Sequence, residues 1–301
     1  GSTVILQTCN LCPRQCGALR TEQEGNGFCR MGTLPVVARA ALHYWEEPCI
    51  SGKKGSGAVF FTGCTLQCVF CQNYQISTQR AVGKALTPRQ LSNLFFRLID
   101  QGANNINLVS ATQFVPAIVE ALSFKPLPVP VVYNSGGYES LETLHMLDGL
   151  IQIYLPDYKY HDNQLAHQLS GASDYVERSH AAILEMERQT GPCQMDANGI
   201  LQKGTIVRHL LLPGHTKNSI AALDWLAANL SKGTLVSLMG QYTPCGHVSS
   251  YPELMRKVTV REYRKVQQHL FDLGLDGYVQ ELSSAKKDYI PAFDLTGVET
   301  E

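Results

Sequence analysis

Long apolar runs are missing from this sequence. The densest stretch, Val207 with Leu210–Leu212, is broken by Arg208 and His209 and falls far short of a membrane span. Charge of one sign is missing too: 25 Lys and Arg stand against 26 Asp and Glu over 301 residues. That balance argues against a protein that grips polyanions by bulk charge, so neither nucleic acid nor membrane is an expected partner. No Pro/Gly/Ser-rich tract divides the chain beyond residue 55, no internal repeat recurs, and no charged-then-apolar leader is read at its start. With 44% apolar and 17% charged residues the chain can bury a sizeable core, which makes disorder a poor reading.

Cysteine is what the chain has in excess. Of ten, eight (Cys9, Cys12, Cys16, Cys29, Cys49, Cys64, Cys68 and Cys71) precede residue 72. A domain with its own core needs few disulfide staples, and spacings of two and three residues suit thiolates converging on a metal. A reducing compartment follows, and the cytoplasm is the expected location. If the metal is iron, oxygen sensitivity follows as well.

From residue 55 onward the pattern is regular. Ala58–Thr62 reads as a strand, and Thr87-Pro88 opens a helix whose apolar positions Leu91, Leu94, Phe95, Leu98 and Ile99 keep the helical period until Gly102. Strands at Ile106–Val109, Val129–Tyr133 and Ile151–Leu155 alternate with helices at Val115–Leu122 and Glu139–Leu147. A helix over Tyr175–Gln189 and a hairpin turning at Asn198-Gly199 follow, then Thr205–Leu212, Ser219–Asn229, Thr234–Leu238 and Val260–Leu273. Strands that are apolar runs rather than alternations imply a parallel sheet with covered faces. Six strands are too few for an eightfold barrel, whereas an open partial barrel and a doubly wound sheet both fit. Either places its site at the C-terminal ends of the strands.

Directly after the first of these strands stands Cys64-x3-Cys68-x2-Cys71. Three thiolates in one loop suit a 4Fe–4S cluster with one iron left open, whereas four ligands close a shell. Zinc, or cysteines packed at a strand end, is the plainer alternative. Upstream, Cys9-x2-Cys12-x3-Cys16-x12-Cys29 offers four thiolates. A structural zinc and a second, electron-relaying cluster both fit that set. Cys12-Pro13 is similar to the Cys-Pro ending of ferredoxin-type runs, although the ferredoxin spacing is absent. Cys49, Cys193 and Cys245 are scattered; Cys245 follows Gln241-Tyr242-Thr243-Pro244 on the active rim. Arg208 interrupts a parallel strand, where a guanidinium is costly unless paired, so it is expected to face the lumen and an anion. His209 faces the other way, as a packed histidine.

The Cys-x3-Cys-x-Phe-Cys signature behind the first strand resembles that of the radical S-adenosylmethionine superfamily. The wider sequence resembles its pyruvate formate-lyase activating enzyme-like branch. The blocks that carry the likeness are His43-Tyr44-Trp45-Glu46-Glu47-Pro48-Cys49-Ile50-Ser51-Gly52, Cys71-Gln72-Asn73-Tyr74, Tyr133-Asn134-Ser135-Gly136-Gly137-Tyr138, Leu155-Pro156-Asp157-Tyr158-Lys159-Tyr160, Arg208–Gly214 and Gln241–Pro244. The resemblance implies an α/β fold, a partial (β/α)6 barrel with parallel strands over residues 55–301, preceded by a Cys-rich metal-binding segment over residues 1–54. It also implies a cluster on Cys64, Cys68 and Cys71 whose open iron binds S-adenosylmethionine, and reductive cleavage to a 5′-deoxyadenosyl radical that abstracts hydrogen. The branch further implies an electron donor such as flavodoxin or ferredoxin and a glycyl-radical enzyme as target. Direct modification of a peptide or small metabolite is the alternative, and a non-catalytic iron–sulfur carrier is the alternative from another class.

Asp157-Tyr158-Lys159 resembles the Asp-x-Lys element of glycyl-radical activating enzymes, which implies that Lys159 meets the cofactor's carboxylate while Asp157 orders the surroundings. Arg208 then has two candidate partners, that carboxylate and Asp157. The Gly-Gly-Glu element common after the second strand is absent; Ser110, Thr112 and Gln113 stand in its place and offer hydrogen bonds without the charge. Asn134 and Ser135 end the third strand with polar groups suited to a ligand. Phe70 is a candidate to pack on adenine and Asn73 to reach its edge, with core packing as the alternative.

Overall fold

The structure, a computed structural model, describes residues 9–44, 46–78, 82–275, 277–279 and 293–298. In chain order the first elements are Val36–His43 (β1), Pro48–Ser51 (α1), Ser56–Phe61 (β2), Tyr74–Ser77 (α2), Lys84–Ala85 (β3), Pro88–Asp100 (α3), Ile106–Val109 (β4) and Val115–Ser123 (α4). Then follow Val131–Ser135 (β5), Leu141–Leu147 (α5), Ile153–Pro156 (β6), Asn163–Ser170 (α6) and Tyr175–Thr190 (α7). Gln194–Met195 (β7), Leu201–Leu210 (β8), Thr216–Asn229 (α8), Leu235–Met239 (β9), Val260–Asp272 (α9) and Gly277–Val279 (β10) complete the series.

The sheet runs β10-β9-β8-β6-β5-β4-β2-β1-β3 and does not close on itself. From β2 to β10 its strands are parallel along this path; β1 joins antiparallel to β2 and to β3, and β7 to β8. The fold is the open partial β/α barrel. Period-two geometry divides each buried strand between two cores. Val59, Phe61, Ile106, Leu108, Tyr133 and Tyr154 pack outward on helices α3, α4, α5 and α7. The alternate positions face the lumen: Ala58, Phe60 and Val109 gather with Ile76, and Val132, Ile153, Leu155 and Ile206 with Cys49 and Ile50 of α1. Each such fully buried aliphatic or aromatic side chain contributes about 1.5–3 kcal/mol of transfer free energy.

Helix α3 opens on the cap foreseen at Thr87, and the structure adds a full capping box in which Gln90 answers the cap. The hairpin turns at Gly199, φ +75, with Asp196 N–H donating to Ile200 O. Four features differ from the sequence reading. The stretch read as aperiodic supplies β1, along which buried and half-buried positions do not alternate strictly. Helix α6 was passed over although Asp162 caps it and Gly171 ends it in the left-handed region. Six parallel strands were expected, and β10 makes seven among the described residues. The strand foreseen at Val129–Tyr133 is β5, displaced because Pro130 has no N–H to give the ladder.

Candidate active site

Gly63 leaves β2 at φ +89, a turn that swings Cys64–Cys71 over the C-terminal ends of the strands. Each of the three sulfurs accepts a hydrogen bond. The Cys64 thiol accepts from the Leu66 and Gln67 N–H groups at 3.3 and 3.5 Å. Cys68 accepts from the Ser170 hydroxyl at 3.1 Å and Cys71 from the Ser77 hydroxyl at 3.2 Å. Burial pushes the Cys71 thiol up to about 12, with the charges of Cys64 and Cys68 adding to the shift. Burial also raises Cys68, against the pull of Lys159. Thiols so placed release their protons to a metal rather than to water. Hydrogen bonds to cysteine sulfur are also what tunes an iron–sulfur cluster, so the donor set fits that group.

Beside this loop the lumen holds a chain of ions. Arg208 of β8 donates to Asp157 Oδ1 at 3.1 Å, to Glu46 Oε2 at 3.3 Å and to Asn134 Oδ1 of β5 at 2.6 Å. Lys159 Nζ donates to Asp157 Oδ2 at 2.9 Å and lies 5.7 Å from the Phe70 ring. Asn134 in turn donates to Glu46 Oε1 at 3.4 Å. Burial alone would raise the Asp157 carboxyl, but Lys159 and Arg208 hold it below its usual range. Burial alone would discharge Lys159, yet Asp157 and Cys68 keep its pKa above normal. Of the two partners foreseen for Arg208, Asp157 is the one the protein itself supplies, and Glu46 and Asn134 take the rest of the guanidinium. Glu46 was quoted only as part of a block; the signal that would have found it is Arg208 itself, a lumen cation needing a second carboxylate. Trp45 lies outside the described residues.

The hydroxyls foreseen for the cofactor are tied to protein. Ser110, at φ +61, donates to Gly63 O at 3.0 Å and so braces the start of the cysteine loop. Thr112 and Ser135 donate to Glu139 Oε1 at 2.6 and 2.8 Å, joined by Tyr133 at 3.2 Å. Burial lifts Glu139 to about 7 against these three donors. Gln113 spans Thr62, Gly63 and Ser110 through its amide nitrogen. Phe70 is buried edge-on between Tyr160 and Tyr242, the packing alternative. Asn73 is the residue before α2 and makes no side-chain cap bond. His209 is buried as foreseen, bonded to Tyr158 O and the Ser219 hydroxyl. Burial lowers its pKa to about 4.

The amino-terminal thiols lie near enough to act on one another's charge. Burial drives Cys12 up to about 12, with Glu139, Cys29 and Cys9 adding, and Cys29 is raised by burial with Cys9 and Cys16 behind it. Gly27 packs against the Cys16 sulfur, where a Cβ would fall 2.7 Å from it. Cys16 is exposed, whereas Cys9 and Cys12 are buried. Among the described residues no three Cys, His, Asp or Glu side chains are arranged to hold a metal ion as they stand. Nor, among these residues, is any helix long and apolar enough to cross a membrane.

A radical S-adenosylmethionine methyltransferase from Sphaerobacter thermophilus shares the fold at TM-score 0.50, with 14% identity, over 89% of this chain and 74% of its own. Streptococcus suis SuiB bound to its precursor peptide matches at TM-score 0.48 and 14% identity, over 74% of this chain; this chain spans about half of SuiB's length, 48%. In sequence the chain is 28% identical over 285 residues to an uncharacterized protein of Methanocaldococcus jannaschii, covering 90% of this chain and 77% of the relative. No protein-family profile matches it.

Proposed function

We propose that this protein is a radical S-adenosylmethionine enzyme, with Cys64, Cys68 and Cys71 holding a 4Fe–4S cluster. When bound, cluster and S-adenosylmethionine would together supply one-electron cleavage to 5′-deoxyadenosyl radical and methionine. The observation that carries the reading is the loop itself: three thiols, each hydrogen-bonded at sulfur, on the functional rim of a parallel barrel. Lys159 is the cation suited to the cofactor's carboxylate, since an ammonium has three donors and Asp157 takes one. Arg208, itself held by Glu46 and Asn134, holds Asp157 in place, and the packed wall around Phe70 excludes water. For the substrate, a glycine of a glycyl-radical enzyme is the reading the sequence resemblance favours; a peptide or small metabolite modified directly is its alternative. An electron donor of the flavodoxin or ferredoxin class, a zinc or second cluster on Cys9, Cys12, Cys16 and Cys29, and a cytoplasmic setting complete the proposal. Anaerobic incubation of reconstituted protein with S-adenosylmethionine and dithionite tests it: 5′-deoxyadenosine and methionine should accumulate. A visible cluster that yields neither would point to an electron carrier instead.

A further inference from the structure

Arg14 stands between Cys12 and Cys16, yet its guanidinium leaves that segment and grips the cluster loop. It donates to Thr65 O at 3.0 Å and to Leu66 O at 3.1 Å. It also donates to Ser170 O at 2.7 Å and Gly171 O at 2.5 Å, where α6 ends and its last carbonyls lack helical partners. The plane of the guanidinium is held by the Phe28 ring, 4.0 Å from its carbon, with the Tyr138 ring at 5.3 Å.

The consequence lies in peptide geometry. In a trans peptide the C=O and the following N–H point in opposite directions. Arg14 takes the carbonyls of Thr65 and Leu66, so the N–H groups of Leu66 and Gln67 are turned the other way. Those are the two N–H groups that reach the Cys64 sulfur. On the far side, Arg14 holds Ser170, whose hydroxyl reaches the Cys68 sulfur. One side chain therefore orients the donors to two of the three thiols. Gln67, at φ +54, sits in a backbone region that a non-glycine residue keeps only when something holds it there.

We infer that Arg14 is a positioning residue for the cluster: it orients the hydrogen bonds to Cys64 and Cys68, sets the cluster's reduction potential through them, and ties that potential to the amino-terminal cysteine segment. The inference rests on the cluster assignment above. Donors aimed at cysteine sulfur stabilise the reduced, more negative cluster, so losing them lowers the potential. Deleting a cation lowers it too, which is why the charge-preserving variant decides.

The experiment is an anaerobic redox titration of reconstituted wild-type, Arg14→Ala and Arg14→Lys protein, following the paramagnetic signal that responds to S-adenosylmethionine. A lysine keeps the charge but cannot hold four carbonyls in one plane. Both variants should be harder to reduce, about tenfold in equilibrium constant for Arg14→Lys, ~59 mV for one electron. Arg14→Lys titrating with wild type while Arg14→Ala falls would show a bare charge effect and overturn the inference. Two unshifted variants would overturn it as well. If Arg14→Ala does not fold, Arg14→Lys alone carries the test. If wild type assembles no cluster that responds to S-adenosylmethionine, the functional reading falls and this inference with it.

Discussion

Replacing Arg208 by alanine separates a residue that holds the site from one that touches a ligand. In the structure Arg208 supports Asp157, Glu46 and Asn134, and the three charged side chains are between 10% and 18% exposed. Removing the guanidinium leaves Asp157 with Lys159 alone and Glu46 with only the 3.4 Å contact from Asn134. Stripping one partner from a buried pair costs about 3–5 kcal/mol, and the partial access of water here reduces that to roughly 2–4 kcal/mol. For a chain of this size that is a fall in Tm of about 3–6 °C. The pH dependence carries a sign. The Asp157 pKa is depressed in the folded state, so its contribution is present above the ordinary carboxylate pKa and lost as pH falls through the folded value. The gap in stability between wild type and Arg208→Ala should therefore shrink below about pH 4. The assay is thermal or urea unfolding across pH, paired with S-adenosylmethionine binding under anaerobic conditions. Lys159→Ala is the counterpart: Asp157 keeps Arg208, so the stability loss should be smaller, while binding weakens about ten- to a hundredfold. An Arg208→Ala protein with unchanged Tm and abolished binding would refute the reasoning, because the guanidinium would then be serving the ligand rather than the network.

Three further outcomes follow. Cys64, Cys68 and Cys71 changed together to alanine should abolish 5′-deoxyadenosine formation and the visible absorption of the S-adenosylmethionine-responsive cluster; retained cleavage would sink the assignment. Glu139, raised by burial to about 7, loses stability as pH climbs from its unfolded value through 7, an effect on the order of 3 kcal/mol. Glu139→Gln should flatten the dependence of Tm on pH between 5 and 8, and an unchanged slope would show that Glu139 does not titrate there. Gly137 sits at φ +84 with its Cβ direction 2.1 Å from Asp157 O, so Gly137→Ala should cost at least about 2 kcal/mol in urea unfolding and displace the Asp157 backbone; wild-type stability in that variant would mean the turn relaxes freely.

Much of the fold was legible because its signals are local. Thr87-Pro88, Gly102 and the hairpin turn at Asn198-Gly199 act through their neighbours in sequence, and the structure uses each as read. The apolar runs at Ile106–Val109 and Ile151–Leu155 read as strands covered on both faces, and the structure places β4 and β6 there. The spacing Cys64-x3-Cys68-x2-Cys71 is equally local, since one short loop carries all three thiols. The sequence reading lacks β1 and α6 because the burial of β1 does not alternate strictly and an eight-residue helix offers little more than its caps.

What the sequence by itself determined, then, was the alternation of strands and helices from residue 55 onward, the position of the thiol loop after the first parallel strand, and the end of the sheet at which polar side chains gather. Periodicity and spacing suffice for these, because each is decided within about a dozen residues. Only the tertiary structure decided which partner each polar group took. Arg208 meets Glu46 across 162 positions, Arg14 reaches Ser170 across 156, and Ser170 reaches Cys68 across 102. Thr112 and Ser135 turned to Glu139 for the same reason: a hydroxyl buried beside an open carboxylate oxygen bonds to it rather than wait for a ligand. Hydrogen bonds of that reach depend on where the barrel curves and which strands lie opposite, and no local pattern in the chain encodes the identity of the atom on the other side.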